Sequence, residues 1–157
     1  MLNLNYPSLA SAYNRFNAMD DAALFDYLGW GGLEGIAGHA RNGALILSLA
    51  LIASGAPLRG SRRIEQGELA GGKVETGANR LAEWLASSFL EPELISLENG
   101  LLDVASQLYG RRGIVAFEQA TGPAGGIIAL LSGSNATGIC NRAEQIHPVA
   151  VRFWQLN

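Results

Sequence analysis

The chain has 157 residues, of which 48% are hydrophobic and 16% charged, and it carries a net charge of −3. That is enough chain for a single domain, residues 1–157, with a real core, and it is too apolar for intrinsic disorder. One cysteine and two histidines exclude a disulfide scaffold and leave too few ligands for a Cys/His zinc site. Neither a metal nor a cofactor is expected, and the acidic balance argues against nucleic acid as a partner.

The stretch Met1–Pro7 has no positive segment and no long apolar run, so it does not read as a Sec-type signal peptide. Pro7-Ser8 opens a helical segment through Phe16. Asp20 and Asp21 supply a cap and a first-turn charge for a helix through Tyr27, stopped at Gly29. Trp30–Gly38 reads as a glycine-rich loop with apolar anchors. His39–Ala53 reads as the central helix. The interval between Arg41 and Arg59 is uncharged, but its apolar run, Gly43–Leu58, is shorter than the roughly 20 residues a membrane span needs. It also closes on Ser54-Gly55-Ala56-Pro57, a helix stop. A helix this apolar is packed on every side or offers a face to a partner, a second copy of the chain included.

Arg59–Gly72 reads as a polar loop. Thr76 is placed to cap a helix over Gly77–Phe89, with Leu81, Trp84, Leu85 and Phe89 at helical spacing. Glu91-Pro92 interrupts the chain, and Leu101–Tyr109 forms another helix stopped by Gly110. The period then becomes extended. Gly113–Phe117 and Gly126–Leu131 read as strands, Ser132–Asn135 as turn chemistry, and Val149–Leu156 as a final strand. Helices first and a small antiparallel sheet afterwards give an α+β domain.

Several segments resemble one family in particular. Arg41-Asn42-Gly43-Ala44-Leu45 through Ala53-Ser54-Gly55-Ala56-Pro57-Leu58 is similar to the nucleophile segment of the type VI secretion amidase effectors of the fourth family. Gly31-Gly32 with Gly35-Ile36 resembles the glycine-rich loop before it. Trp84-Leu85, Gly110–Val115, Gly126–Gly133 and Phe153-Trp154 follow in the family's order. The resemblance implies a papain-like, NlpC-type fold in which the central apolar helix packs on the sheet. It implies antibacterial cleavage of peptidoglycan cross-bridges by a cysteine at the N-terminus of that helix, with a strand histidine as base. It also implies an immunity protein as partner, and delivery from the producing cytoplasm through a type VI system into the periplasm of a target cell.

The same match sets Gly43 at the cysteine and Ile127 at the histidine. The third polar residue belongs to the turn Ser134–Asn141 and has no assigned position. Two further polar positions of the family's helix hold Ile46 and Ile52. Gly43 cannot attack a carbonyl and Ile127 cannot move a proton, and such residues act as a unit. The expected protein is therefore a pseudo-amidase that works by binding a peptidoglycan fragment, a partner or a lipid surface. Its candidate cleft comprises His39, Asn42, Gly43, Ile46 and Ile127, with Ile52 adding to an apolar lining.

Two other functions compete. One is a hydrolase built on Cys140 with His39 or His147, against which stands the ordinary reading of Cys140 as a small buried residue. The other is a non-toxic oligomeric interaction domain joined through the apolar helix. Arg59, Arg62 and Arg63, and Arg111-Arg112, are cationic clusters able to hold carboxylates or phosphates, or simply solvated surface. Gly122–Gly126 is no phosphate loop, since no Lys-Ser/Thr follows. Glu91/Glu93 and Asp20/Asp21 read as caps and solvated charge.

Overall fold

The computed structural model describes residues 3–33, 35–36, 38–39, 41–122 and 125–157. Met1 and Leu2, Glu34 and Ala37 of the glycine-rich loop, Ala40 in the expected central helix, and Pro123-Ala124 of the Gly122–Gly126 segment lie outside them.

Helix α1 spans Tyr6–Asn17, its start capped by the Asn5 side chain. Helix α2 spans Asp21–Leu28, with Asp20 accepting from the Ala23 amide at 2.8 Å. It ends at Gly29, whose φ of 74° is the left-handed C-cap conformation that glycine adopts without a Cβ penalty. Helix α3 spans Gly43–Ala53. It starts four residues later than expected, because Asn42 is extended and its side chain accepts from the Leu45 amide at 2.9 Å.

Every residue of α3 from Ala44 to Leu51 is buried. Ala44, Leu47, Ala50 and Leu51 pack toward the sheet with α1 and the next helix. Leu45, Ile46 and Leu49 pack toward Phe16, Leu24, Leu28 and Trp30. The apolar circumference of Ala44–Leu51 is thus consumed within the chain.

The expected polar loop holds a two-residue antiparallel ladder, β1 (Arg62–Arg63) with β2 (Lys73–Val74). Helix α4 spans Ala78–Ser88, and Gly77, not Thr76, is its N-cap. The Thr76 hydroxyl instead donates to the Gly38 carbonyl at 2.8 Å. The Gly77 amide donates to a Glu75 carboxylate oxygen at 2.8 Å, which sets negative charge at the start of α4.

Strand β3 (Glu93–Ile95) and helix α5 (Leu101–Leu108) follow. Then come β4 (Arg112–Glu118), β5 (Ile127–Ser132), helix α6 (Ala136–Ala143), a 3-10 turn (Glu144–Ile146) and β6 (Ala150–Gln155). The sheet order is β3-β6-β4-β5, with every pairing antiparallel. Alternation along the strands divides two cores. Ile114, Ala116, Ile128, Leu130 and Trp154 face α1, α3 and α4. Val115, Phe117, Ala129, Leu131 and Phe153 face α5 and α6. No helix among the described residues is long and apolar enough to cross a membrane.

The architecture is α+β, as the change of period predicts. Besides β1 and β2, strand β3 and helix α6 escape the sequence reading. Strand β3 has three residues after a Pro, too few to show a period. Helix α6 lies in the segment read as turn, although Ala136, Ile139, Cys140 and Ala143 carry the i, i+3, i+4, i+7 spacing of a buried helical stripe.

Candidate functional site

The start of α3 is anchored from three sides. Arg41 donates to the Asn17 carbonyl at 2.8 Å and to the Met19 carbonyl, and lies 3.3 Å from Asp21. This ties the helix entrance to the α1–α2 corner. Asn42 caps α3 with its oxygen and donates through its amide nitrogen to the Thr76 carbonyl at 2.9 Å. One turn deeper, the buried Ser48 hydroxyl donates to the Glu75 carbonyl at 2.9 Å and accepts from the Glu75 amide at 3.0 Å. A backbone pair that would otherwise be orphaned inside the protein is satisfied by one side chain.

This anchoring presses Gly43 against β5, the edge strand. A Cβ added to Gly43 would lie far inside contact distance of the Ile128 carbonyl oxygen. Only a glycine permits so close an approach of helix to strand. The outer edge of β5 is closed further along by Asn135, which donates to the Leu130 carbonyl at 3.0 Å and accepts from the Ser132 amide at 2.8 Å. Asn135 falls in the turn expected to supply a third polar residue, and here it serves the backbone.

Beside this contact lies a cavity of about 340 Å³. Asn42, Gly43, Ile46 and Ile127 all line it, so four of the five cleft candidates come together. His39 does not line it; its ring packs edge-on against Trp30, with centroids 4.8 Å apart. Ile52 is also elsewhere, at the far end of α3 against Gly72, and adds nothing to the cleft. The sequence reading missed Tyr13, Asn17 and Arg142 on the cavity wall. Tyr13 is largely buried, and burial pushes its phenol above the ordinary value, against smaller lowering effects from the Leu130 backbone and the Arg142 guanidinium.

Cys140 is buried on α6, in the core on the α5–α6 side of the sheet. Burial raises its thiol pKa, which disfavours the thiolate that attacks carbonyls. The cavity it touches is lined by Leu101, Leu102, Ala105, Thr137, Asn141 and Glu144, none of them a histidine. Trp30, on which His39 packs, belongs to the core on the opposite side of the sheet. His147 is exposed, holds a left-handed φ of 50°, and follows the 3-10 turn.

The Arg111-Arg112 cluster is engaged within the fold. Arg111 forks onto Glu93 at 3.0 and 2.7 Å, donates to Gln155 at 2.9 Å and lies over the Phe153 ring. The paired guanidinium holds the Glu93 carboxyl below its ordinary pKa, so Glu93 is more than a solvated charge. Arg112 lies over the Tyr6 ring. Arg62 covers Gly38, and Arg63 sits 3.9 Å from Glu65.

A family model for type VI secretion system amidase effector protein 4, Tae4, matches residues 41–154. The chain belongs to this family. The match runs from the anchor Arg41 through all of α3 and the sheet to β6. Among solved structures, the effector–immunity system Tae4/Tai4 from Salmonella typhimurium is similar with a TM-score of 0.69 at 16% identity, covering 99% of this chain and 100% of that one. A complex of S. typhimurium Tae4 with the immunity protein Tai4 from Enterobacter cloacae gives 0.67 at 16% identity, with coverage of 98% and 99%. The E. cloacae Tae4–Tai4 complex gives 0.67 at 16% identity, with coverage of 99% and 100%. No curated protein sequence matches the chain. The likeness establishes the papain-like fold of the Tae4 family for this chain.

Proposed function

We propose that this Tae4-family chain is a type VI effector protein that binds rather than cleaves. The observation that carries the reading is the contact of Gly43 with the Ile128 carbonyl. The family resemblance puts the nucleophile at Gly43 and the histidine at Ile127, and neither residue has a reactive group. The packing agrees with the residue identities: a cysteine at 43 would occupy space already taken by β5. The remaining recess has an apolar floor and a polar wall, a composition suited to holding a ligand.

In this reading the protein is made in the cytoplasm and delivered by a type VI system to the periplasm of a target cell. Its partner is an immunity protein of the kind found with its solved relatives. Cys140 takes no part, being buried with its thiol pKa raised.

The test is incubation of the purified chain with cross-linked muropeptides, followed by mass spectrometry, alongside toxicity on periplasmic and cytoplasmic expression. Unchanged masses are expected. Loss of cross-bridged species overturns the proposal, and if Cys140→Ala abolished that loss, the nucleophile would be Cys140.

A further inference from the structure

The cavity beside Gly43 adjoins a second of about 290 Å³, and the two share Tyr13, Asn17, Ala129 and Arg142. In a chain with 14 acidic and 11 basic residues, not one carboxylate lines either cavity. Two arginines do. Arg41 is consumed by the Asn17 and Met19 carbonyls and by Asp21. Arg142 stands in the last turn of α6, and no acidic side chain of the described residues lies within ion-pair distance of it.

Two further features of this wall favour an anion. Tyr13 presents a phenol beside Arg142, and its raised pKa keeps it protonated at neutral pH. Gly43 opens α3, whose N-terminal dipole favours negative charge. Below them, Ile46 and Ile127 form an apolar floor.

We infer that this double cavity is a binding site for the carboxylate end of a short peptide, with Arg142 as the residue that takes the charge. One unspent guanidinium matches one negative charge, as on a carboxylate, better than the two of a phosphate monoester near neutral pH. The apolar floor takes a small aliphatic side chain. The inference deepens the non-hydrolytic reading of the cleft by naming the class of ligand.

The experiment is an NMR titration of the full chain with N-acetyl-alanyl-alanine, with its C-terminal amide, and with inorganic phosphate. Shifts of the Gly43, Ala129 and Arg142 amides are expected with the acid, at an affinity at least ten-fold above that for the amide. Arg142→Gln should weaken the acid at least ten-fold, and Arg142→Lys, which keeps charge but loses the fork, should weaken it less. Arg142 is exposed, and an unchanged spectrum away from the site confirms that the variants fold. Equal binding of acid and amide, no binding of the acid, or indifference to Arg142→Gln overturns the inference. Tighter binding of phosphate overturns the carboxylate assignment. Muropeptide cleavage would sink the non-hydrolytic reading and leave this titration untouched, so the two failures are distinguishable.

Discussion

The Gly43 contact makes a quantitative demand on stability. In Gly43→Ala the new methyl group meets the Ile128 carbonyl far inside the 3.4 Å at which ordinary contact begins, and α3 and β5 must separate by roughly 1 Å. Neither partner yields cheaply. The colliding atom is backbone, β5 is registered along its length on β4, and the start of α3 is held by Arg41 and Asn42. Overpacking of this kind costs about 1–3 kcal/mol, and the helix propensity gained from alanine offsets at most about 1 kcal/mol of that. A net loss of about 1–2 kcal/mol should lower the Tm by about 2–8 °C in a domain of this size. The assay is calorimetry or urea denaturation against Gly138→Ala as control. Gly138 lies inside α6 with open space around its Cα, so alanine there should stabilise by up to about 1 kcal/mol. If Gly43→Ala proved as stable as the parent chain, the close approach would not be a constraint, and the packing argument against a nucleophile at this position would fall.

Two further perturbations read the scaffold of the site. Ser48→Ala strips the buried Glu75 amide of its acceptor and should cost about 1–3 kcal/mol in urea denaturation, although it raises helix propensity; no loss would mean that the pair contributes nothing. Glu93 has its pKa lowered chiefly by the hydrogen bond from Arg111. Its contribution to stability is therefore present above the ordinary glutamate pKa and disappears as pH falls through the lowered one. The stability difference between the parent and Glu93→Gln should be constant around neutrality and shrink on the acid side of pH 4.5; a difference that grew with acidification would contradict the assignment.

Legibility in the sequence followed the strength of local signals. The α2 boundaries were readable because Asp20 and Gly29 each perform an unambiguous local task, capping and a left-handed exit. The apolar run alone extends α3 back to His39, although Asn42 before Gly43 is itself a good capping signal. Strands β1 and β2 were illegible because two residues cannot display a period. Thr76 illustrates the limit of cap rules: its hydroxyl went to Gly38, and the carboxylate of Glu75 served α4 instead. Asn42, Gly43, Ile46 and Ile127 could be assigned to one recess because a family resemblance ordered them along α3 and β5. Tyr13 and Arg142 could not be, since they come from α1 and α6, 129 positions apart in the chain, and only the fold brings them to one wall.

In the proposed reading, the reactive side chains missing at positions 43 and 127 and the space missing between helix and strand are one fact seen twice. A cysteine at the head of α3 would need room for its own side chain and, beyond it, for a carbonyl held within reach of attack. A histidine at the start of β5 would need to face that same gap. With Gly43 and Ile127 in those places, nothing keeps helix and strand apart, and van der Waals attraction favours closure until backbone meets backbone. The contact at Ile128 is where that closure ends. What stays open lies to the side, where Tyr13, Asn17 and Arg142 hold a polar wall over Ile46 and Ile127. Chemistry at the junction and binding beside it place separate demands on the fold, and the non-hydrolytic reading proposed for this chain calls only on the second.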